Sequence, residues 1–261
     1  MHRHSAWHFL FMLGIAGIIA ACSIGGVFDE DRTRIITDEP TEVNPLPEMI
    51  HYDMPAFPSL LEMPNTGCVD DGNGWITCPE DSEPGSLGCV SITPLNDTYG
   101  GLDPALPIMS CRMDMMMEDL PEDEYLYNIG CPTNLYVRML AYRDGKFEVI
   151  KGVPDLQKVF APIESSTEAI SYAVAATGYW AGFQMEADEN LRYLTEKIED
   201  THAVETDAGY IVNLFGYQLC GCGPHTYYQV DVTLTRDGEI MAVSDRIPLY
   251  EDPADDGKCI D

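Results

Sequence analysis

Alternation of apolar and polar residues is clearest near the carboxyl end of the chain. Between Tyr228 and Thr235 the two kinds alternate without a break, which is typical of a β-strand with one buried face. Asp207-Ala208-Gly209 and Arg236-Asp237-Gly238-Glu239 are turn sequences in which glycine supplies the positive φ of a tight hairpin. We therefore predict antiparallel strands over 202–206, 210–215, 228–235 and 240–249.

A further hairpin is predicted earlier in the chain. Apolar segments at 135–142 and 146–150 flank Arg143-Asp144-Gly145, another turn of the Asp-Gly type. Pro154 follows this hairpin, and a short helix is expected through Val159 and Phe160.

Helical spacing begins after Ser165. Ser165 and Glu168 fit the S-x-x-E capping box. The apolar residues that follow are predicted to share one helix face: Ala169, Tyr172, Ala173, Ala176 and Trp180. Leu191, Leu194 and Ile198 predict a second helix, with a long strand leading to His202 as the alternative.

These elements predict an α+β domain over 134–261, with a helix packed on one face of an antiparallel β-meander sheet. The order of the elements loosely resembles that of cystatin-like, PepSY-like and NTF2-like exported domains. The resemblance rests on element order alone and implies no functional residue.

The first half of the chain lacks such patterns. Residues 66–133 form a Cys-rich, loop-dominated segment that needs crosslinks to be ordered. Its stretch Asp70-Asp71-Gly72-Asn73-Gly74 lacks the terminal glutamate of an EF-hand, so a solvated turn is favoured over a calcium site. Residues 22–65 are acidic and Pro-rich, which predicts a disordered tether in which His51 and Tyr52 make local contacts only.

The amino terminus carries an export signal. Phe9 to Ala21 is an apolar run too short to span a membrane as a helix, and it fits a signal peptide over residues 1–21. Ile19-Ala20-Ala21-Cys22 resembles the lipobox of bacterial lipoproteins. The resemblance implies cleavage before Cys22 and its lipidation, and Ser23 favours the outer membrane. The alternative is an ordinary signal peptide followed by a chance cysteine.

Charge narrows the choice of partners. The chain has 44 acidic and 14 basic residues, a formal net charge of −30. Such a surface repels nucleic acid and anionic lipid headgroups, so neither is an expected partner. The predicted contact with the membrane is through the lipid alone.

Cysteine number supports the same location. If one of the nine cysteines, Cys22, carries lipid, an even number remains, which fits four disulfides in an oxidising compartment. The candidates are Cys68, Cys78, Cys89, Cys111, Cys131, Cys220, Cys222 and Cys259. Their connectivity does not follow from the sequence.

The segment Leu219-Cys220-Gly221-Cys222-Gly223-Pro224-His225 allows three interpretations. Cys220, Cys222 and His225, with Cys259 as a fourth ligand, could bind zinc. Cys220 and Cys222 could instead form a redox pair. The favoured interpretation is structural: the two cysteines bond to different, distant partners.

No catalytic constellation is evident. The common hydrolase and nucleotide motifs are absent, and His202 is expected to be structural. A methionine cluster suits Cu(I), although methionine more often fills hydrophobic gaps: Met109, Met113, Met115, Met116 and Met117. The sequence therefore predicts a lipid-anchored outer-membrane protein with a non-enzymatic binding or envelope-structural role and no cofactor. The alternative is an envelope metal-binding or thiol-redox protein.

Overall fold

The computed structural model describes residues 45–72, 76–113, 120–131 and 135–260. The helices in these ranges are α1 (Glu83–Ser86), α2 (Val153–Phe160) and α3 (Ser166–Thr177), with 3-10 helices at Asp97–Gly101, Glu122–Glu124 and Pro253–Asp255. The strands are β1 (Glu48–Ile50), β2 (Val69–Asp70), β3 (Ile76–Thr77), β4 (Ser91–Pro94), β5 (Ile108–Arg112), β6 (Tyr127–Ile129), β7 (Leu135–Arg143), β8 (Lys146–Ile150), β9 (Arg192–Tyr193), β10 (Lys197–Glu199), β11 (Ala203–Glu205), β12 (Gly209–Tyr217), β13 (Gly221–Cys222), β14 (Thr226–Thr235), β15 (Ile240–Val243), β16 (Ile247–Glu251) and β17 (Cys259–Ile260).

The first large sheet has its strands in the order β2-β3-β4-β5-β7-β6, with β8 also paired to β7. β7 is the central strand, because β5, β6 and β8 all pair with it. Every residue of β7 from Tyr136 to Ala141 is buried. The predicted hairpin is confirmed: Asp144 and Gly145 have φ of 53° and 79° and turn β7 into β8. β6 pairs with β7, so the sheet takes strands from both sides of residue 133.

The second large sheet has the order β11-β12-β14-β16-β9, with β15 also paired to β14. β14 is its central strand: β12 pairs along its whole length, and β15 and β16 share its other edge. Between them, the Ser244 amide donates to the Asp231 carbonyl at 2.9 Å, which keeps the chain against β14. The α+β class with antiparallel sheets is thus confirmed in its coarse form.

α3 lies between these layers. As in the predicted capping box, Ser165 Oγ accepts from the Glu168 amide at 3.2 Å, but Glu168 Oε2 accepts from the Glu164 amide at 2.7 Å rather than from Ser165. Every residue from Ala169 to Ala176 is buried, and α3 shares one hydrophobic core with residues of both sheets. Gly178 ends the helix at φ 71°. Trp180 therefore lies beyond the helix, contrary to prediction.

The predicted second helix is wrong. Leu191, Leu194 and Ile198 lie in or beside β9 and β10, and Leu194 is 47% exposed while Ile198 is 1% exposed. Pairing of β9 with β16 and of β10 with β1 replaces the helical hydrogen bonds. Helical spacing over three residues was overridden by tertiary pairing, as happens to weak local patterns.

Part of the predicted tether is packed. β1 pairs in parallel with β10, and Phe57 and Leu60 contact the main core. The expectation of purely local contacts at His51 and Tyr52 is wrong, since both contact residues near position 200. Cys22 and the lipobox lie outside the described residues. No helix in the described ranges is long and apolar enough to cross a membrane.

Candidate functional site

The two cysteines of the 219–225 segment bond to different partners. Cys220 forms a disulfide with Cys131, and Cys222 forms one with Cys259. Cys222 and Cys259 also face each other in the short antiparallel pair β13–β17. The remaining candidates pair as Cys68–Cys78 and Cys89–Cys111. All eight predicted disulfide cysteines are therefore used, as the structural interpretation requires.

His225 has a structural role of its own. It is 1% exposed, with Nδ1 2.9 Å from the Gln218 carbonyl oxygen and Nε2 3.2 Å from the Lys258 carbonyl oxygen. Both ring nitrogens thus face backbone acceptors, one in its own segment and one in the carboxyl-terminal segment. His225 ties these two segments together beside the Cys222–Cys259 disulfide.

These contacts favour the structural interpretation of the segment over zinc binding and over a redox pair. A zinc site of this kind needs thiolate ligands and a ring nitrogen whose lone pair is free. Cys220 and Cys222 are instead in disulfides, and both ring nitrogens of His225 face carbonyl oxygens. No group of three metal-ligating side chains occurs in the described ranges. The pair Cys220 and Cys222 is not a disulfide, so it is not a redox couple.

The other candidate ligands are dispersed or lie outside the described ranges. Met109 is buried in the small core cluster of the first sheet, and Met113 is also buried. Met115, Met116 and Met117 lie outside the described residues, so the copper hypothesis stays a prediction. Of the acidic turn, Asp70 Oδ1 accepts from the Gly72 amide at 2.8 Å, which closes an ordinary turn.

A large open cleft lies next to the Cys131–Cys220 disulfide. Its volume is about 760 Å³, and Cys220 is one of its lining residues. The walls come from β6 and the residues around it, from the end of α3 through Trp180, from the end of β12 and its following loop, and from β14 with the β15–β16 connection. The cleft is thus built where the two large sheets and α3 meet.

Six of the sixteen described lining residues are aromatic: Tyr125, Tyr127, Tyr179, Trp180, Tyr217 and Tyr228. Trp180 is 37% exposed, yet its backbone is fixed by two hydrogen bonds with Phe215, of 3.0 and 2.9 Å. The rings of Tyr179 and Tyr228 meet edge to face with centroids 6.2 Å apart. Rigid rings with partly exposed surface are typical of binding sites.

Two glycines allow these rings to approach the backbone. A Cβ on Gly178 would lie 2.5 Å from the Tyr127 ring, and one on Gly216 would lie 2.3 Å from the Tyr228 ring. Contacts below 3 Å do not occur between real atoms of this kind, so any larger residue would displace a ring. Glycine at these positions is required by the shape of the cleft.

The wall residue Tyr217 packs against rings that do not line the cleft. The Tyr227 ring centroid lies 4.6 Å from Tyr217 and 4.6 Å from Tyr250, stacked on the latter. Burial, assisted by a hydrogen bond to Asp255, raises the pKa of Tyr217 to about 12. Burial raises the pKa of Tyr250 to about 12 as well. These phenols therefore stay protonated at neutral pH and act as neutral packing groups.

The electrostatic character of the cleft differs from that of the chain. Sixteen residues of the described ranges line the cleft, and none of these is acidic, although 44 of the 261 residues of the chain are. Among them only Arg246 is charged, and its guanidinium carbon lies 4.5 Å from the centroid of the Tyr228 ring. The cleft is thus neutral to positive in a strongly acidic protein.

The histidines near residue 200 form a separate cluster. Asp200 is 1% exposed and accepts from His51 Nδ1 at 3.0 Å and from the amides of Gln184 and Met185 at 2.9 and 3.2 Å. The rings of Tyr52 and His202 stack with centroids 4.0 Å apart. These contacts of Asp200 fasten the 48–52 segment to residues 184, 185 and 200.

Comparison with known proteins adds no relative: no family model, curated protein or solved structure matches the chain. Only four of the lining residues were singled out in the sequence, and none of them as part of a cleft: Trp180, Leu219, Cys220 and Tyr228. The other lining residues come from distant parts of the chain and share no motif. The tyrosine content, 14 residues, is the signal that could have pointed to an aromatic surface.

Proposed function

We propose that the protein is an exported, lipid-anchored, non-enzymatic binding protein, and that the aromatic cleft is its ligand site. The observation that carries the proposal is the cleft itself: about 760 Å³, lined by six aromatic residues. This volume is within the usual range for small-ligand sites. The surrounding disulfides and the glycine-supported rings support a site that is formed before the ligand arrives, which reduces the entropy cost of binding.

The chemistry of the walls favours binding over catalysis. The lining residues in the described part of the chain include no carboxylate, no histidine and no reduced thiol, which are the usual general acids, bases and nucleophiles. The helix-on-sheet layer, α3 against β11, β12 and β14, serves in this proposal as the rigid base of the site. Amide, hydroxyl and guanidinium groups among the rings supply polar contacts to a bound ligand.

The anchor follows from the lipobox. Cys22 is proposed to carry the acyl chains that hold the protein at the outer membrane. Detergent-phase partitioning tests this part: the wild-type protein and a Ser23→Ala control should enter the detergent phase, and Cys22→Ala should not. A Cys22→Ala protein that still enters the detergent phase as fully as the control would remove the lipid anchor from the account.

A ligand screen tests the binding function. Detergent-solubilised protein is applied to arrays of carbohydrates and peptides, and each positive ligand is measured again with Trp180→Ala and Gly216→Ala. Lys146→Gln serves as the matched control, since Lys146 is an exposed residue at the start of β8 and does not line the cleft. The proposal requires at least one ligand that both cleft variants weaken about tenfold and the control leaves unchanged. Ligands that bind all three variants equally would place the binding surface elsewhere.

A further inference from the structure

Arg246 is unusual in this protein because it makes no ion pair in the part of the chain that the structure describes. Other arginines are paired: Arg192 lies 2.9 Å from Glu251 and 2.6 Å from Asp256, and Arg138 lies 2.9 Å from Glu124. With 44 carboxylates available, partners for Arg246 are abundant in the chain. Its guanidinium instead rests on the Tyr228 ring at the wall of the cleft.

The position of Arg246 is held by the backbone around it. Ser244 and Asp231 exchange two hydrogen bonds, from the Ser244 amide to the Asp231 carbonyl and from the Asp231 amide to Ser244 Oγ, both 2.9 Å. Ile247 then pairs with Gln229 as β16 begins. Asp245 and Arg246 are the two residues between these fixed points, so the Arg246 side chain starts from a defined place beside Tyr228. A guanidinium on a ring face keeps its N–H donors at its edge, where an anion can accept them.

The rest of the lining suits a ring-shaped, hydroxylated ligand. The weakly polarised C–H faces of sugar rings pack on aromatic rings, while their hydroxyls need amide or hydroxyl partners. Trp180 and the tyrosines provide the ring surfaces, and Thr177 and Gln218 add polar groups. Neutral sugars are commonly held by carboxylates as well, but the lining has none. A carboxylate on the ligand would instead complement Arg246.

We propose that the cleft binds an acidic saccharide, a sugar of the uronic-acid class, whose ring stacks on the aromatic wall and whose carboxylate pairs with Arg246. This inference rests on the proposed binding function and adds the chemical class of the ligand. A planar guanidinium binds a carboxylate through two parallel hydrogen bonds. The described lining residues add no carboxylate of their own to the repulsion that the acidic remainder of the chain exerts on an anion.

Calorimetry with trigalacturonic acid and its methyl ester tests the inference, since the two ligands share their rings and differ in charge. The full-length, detergent-solubilised protein is titrated in the presence of EDTA, which excludes a calcium bridge between ligand and acidic surface. We expect the acid to bind at least about tenfold more tightly than the ester. Arg246→Gln should abolish this preference, while Lys146→Gln should preserve it. Circular dichroism checks that both variants are folded.

Three results would overturn the inference: equal affinity for acid and ester, a preference that survives Arg246→Gln, or no binding of the acid by the wild-type protein at millimolar concentration. These results are distinct from failure of the binding function. If Trp180→Ala weakens binding of the ester, the cleft remains a ligand site and only the acidic class is lost. The binding function fails only if the array screen gives no ligand that depends on the cleft.

Discussion

At the residue scale, His225 illustrates how a histidine beside two cysteines can be entirely structural. A metal-binding motif and a structural crosslink use the same residue types, and they differ in what the cysteine and histidine side chains contact. Here the sulfurs bond to Cys131 and Cys259 and the imidazole faces the Gln218 and Lys258 carbonyls. The ring is buried, so the two carbonyls it contacts are shielded from water with it.

Replacement of His225 tests this role. His225→Ala leaves the Gln218 and Lys258 carbonyls without their present partner and opens a cavity, so the free energy of unfolding should fall by about 2–3 kcal/mol. Urea denaturation measures the change. Leu219→Ala is the control in the same segment, because Leu219 is 38% exposed and its loss should cost less than about 0.5 kcal/mol. Equal losses of unfolding free energy in His225→Ala and Leu219→Ala would contradict the proposed role of His225 in holding the two segments together.

The raised pKa values of Tyr217 and Tyr250 indicate that the stability of the protein depends on alkaline pH. The pKa of Tyr217 and that of Tyr250 are raised to about 12 in the folded protein, above the value of about 10 for an unfolded chain. Because the folded state holds these protons more tightly, their contribution to stability is complete below pH of about 10 and is lost as the pH rises toward 12.

Urea denaturation between pH 9 and pH 12 measures this loss. Tyr217→Phe removes one of the tyrosines whose pKa is raised and should make the alkaline decline shallower. Tyr142→Phe, on the outer end of β7, is the control and should leave the profile unchanged. A wild-type stability that is flat between pH 10 and pH 12 would show that these phenols ionise in the folded protein as they do in the unfolded chain.

At the element scale, the short strand β1 shows how a segment of tether-like composition becomes part of the fold. Three residues of parallel pairing with β10 are a weak interaction alone. Asp200 strengthens it, since this buried carboxylate binds His51 on one side and the amides of Gln184 and Met185 on the other. Gln184 has φ of 52°, an uncommon conformation that brings its amide toward the carboxylate.

Asp200→Asn should therefore release this segment. The asparagine amide group cannot accept from both backbone N–H groups, so we expect a loss of about 2–3 kcal/mol in unfolding free energy. Because the segment is then released more often, proteolytic cleavage between residues 45 and 65 should also become faster. Asp53→Asn is the matched control, since Asp53 is exposed and should change neither quantity. Unchanged cleavage in Asp200→Asn would mean that β1 is held by other contacts.

Elements with strong local signals were predictable from the sequence. The Asp144-Gly145 hairpin, the N-cap at Ser165 and the alternating strand β14 all occur as their patterns indicate. The second helix was not predictable, because β9 and β10 are ordered by pairing with distant strands rather than by their own periodicity. The cleft was not predictable for the same reason: Tyr127, Trp180 and Arg246 meet only when both sheets pack around α3.

At the scale of the whole molecule, crosslinks and charge point to one environment. Four disulfides are typical of compartments in which thiols are oxidised, and Cys22 is the one cysteine outside these four pairs among the nine of the sequence, which fits the proposed lipidation. The net charge of −30 disfavours attachment to anionic surfaces, and we propose a covalent lipid at Cys22 as the means of attachment. None of the described residues that line the cleft is acidic, so in our proposal the cleft is where an anion binds.

Mass spectrometry of the protein extracted from membranes and digested without reduction tests the account most directly. The account predicts an amino-terminal peptide that begins at an acylated Cys22, together with linked peptides for Cys131–Cys220 and Cys222–Cys259. Free thiols at Cys220 or Cys222, a direct Cys220–Cys222 bond, or an unmodified Cys22 within an uncleaved leader would contradict it.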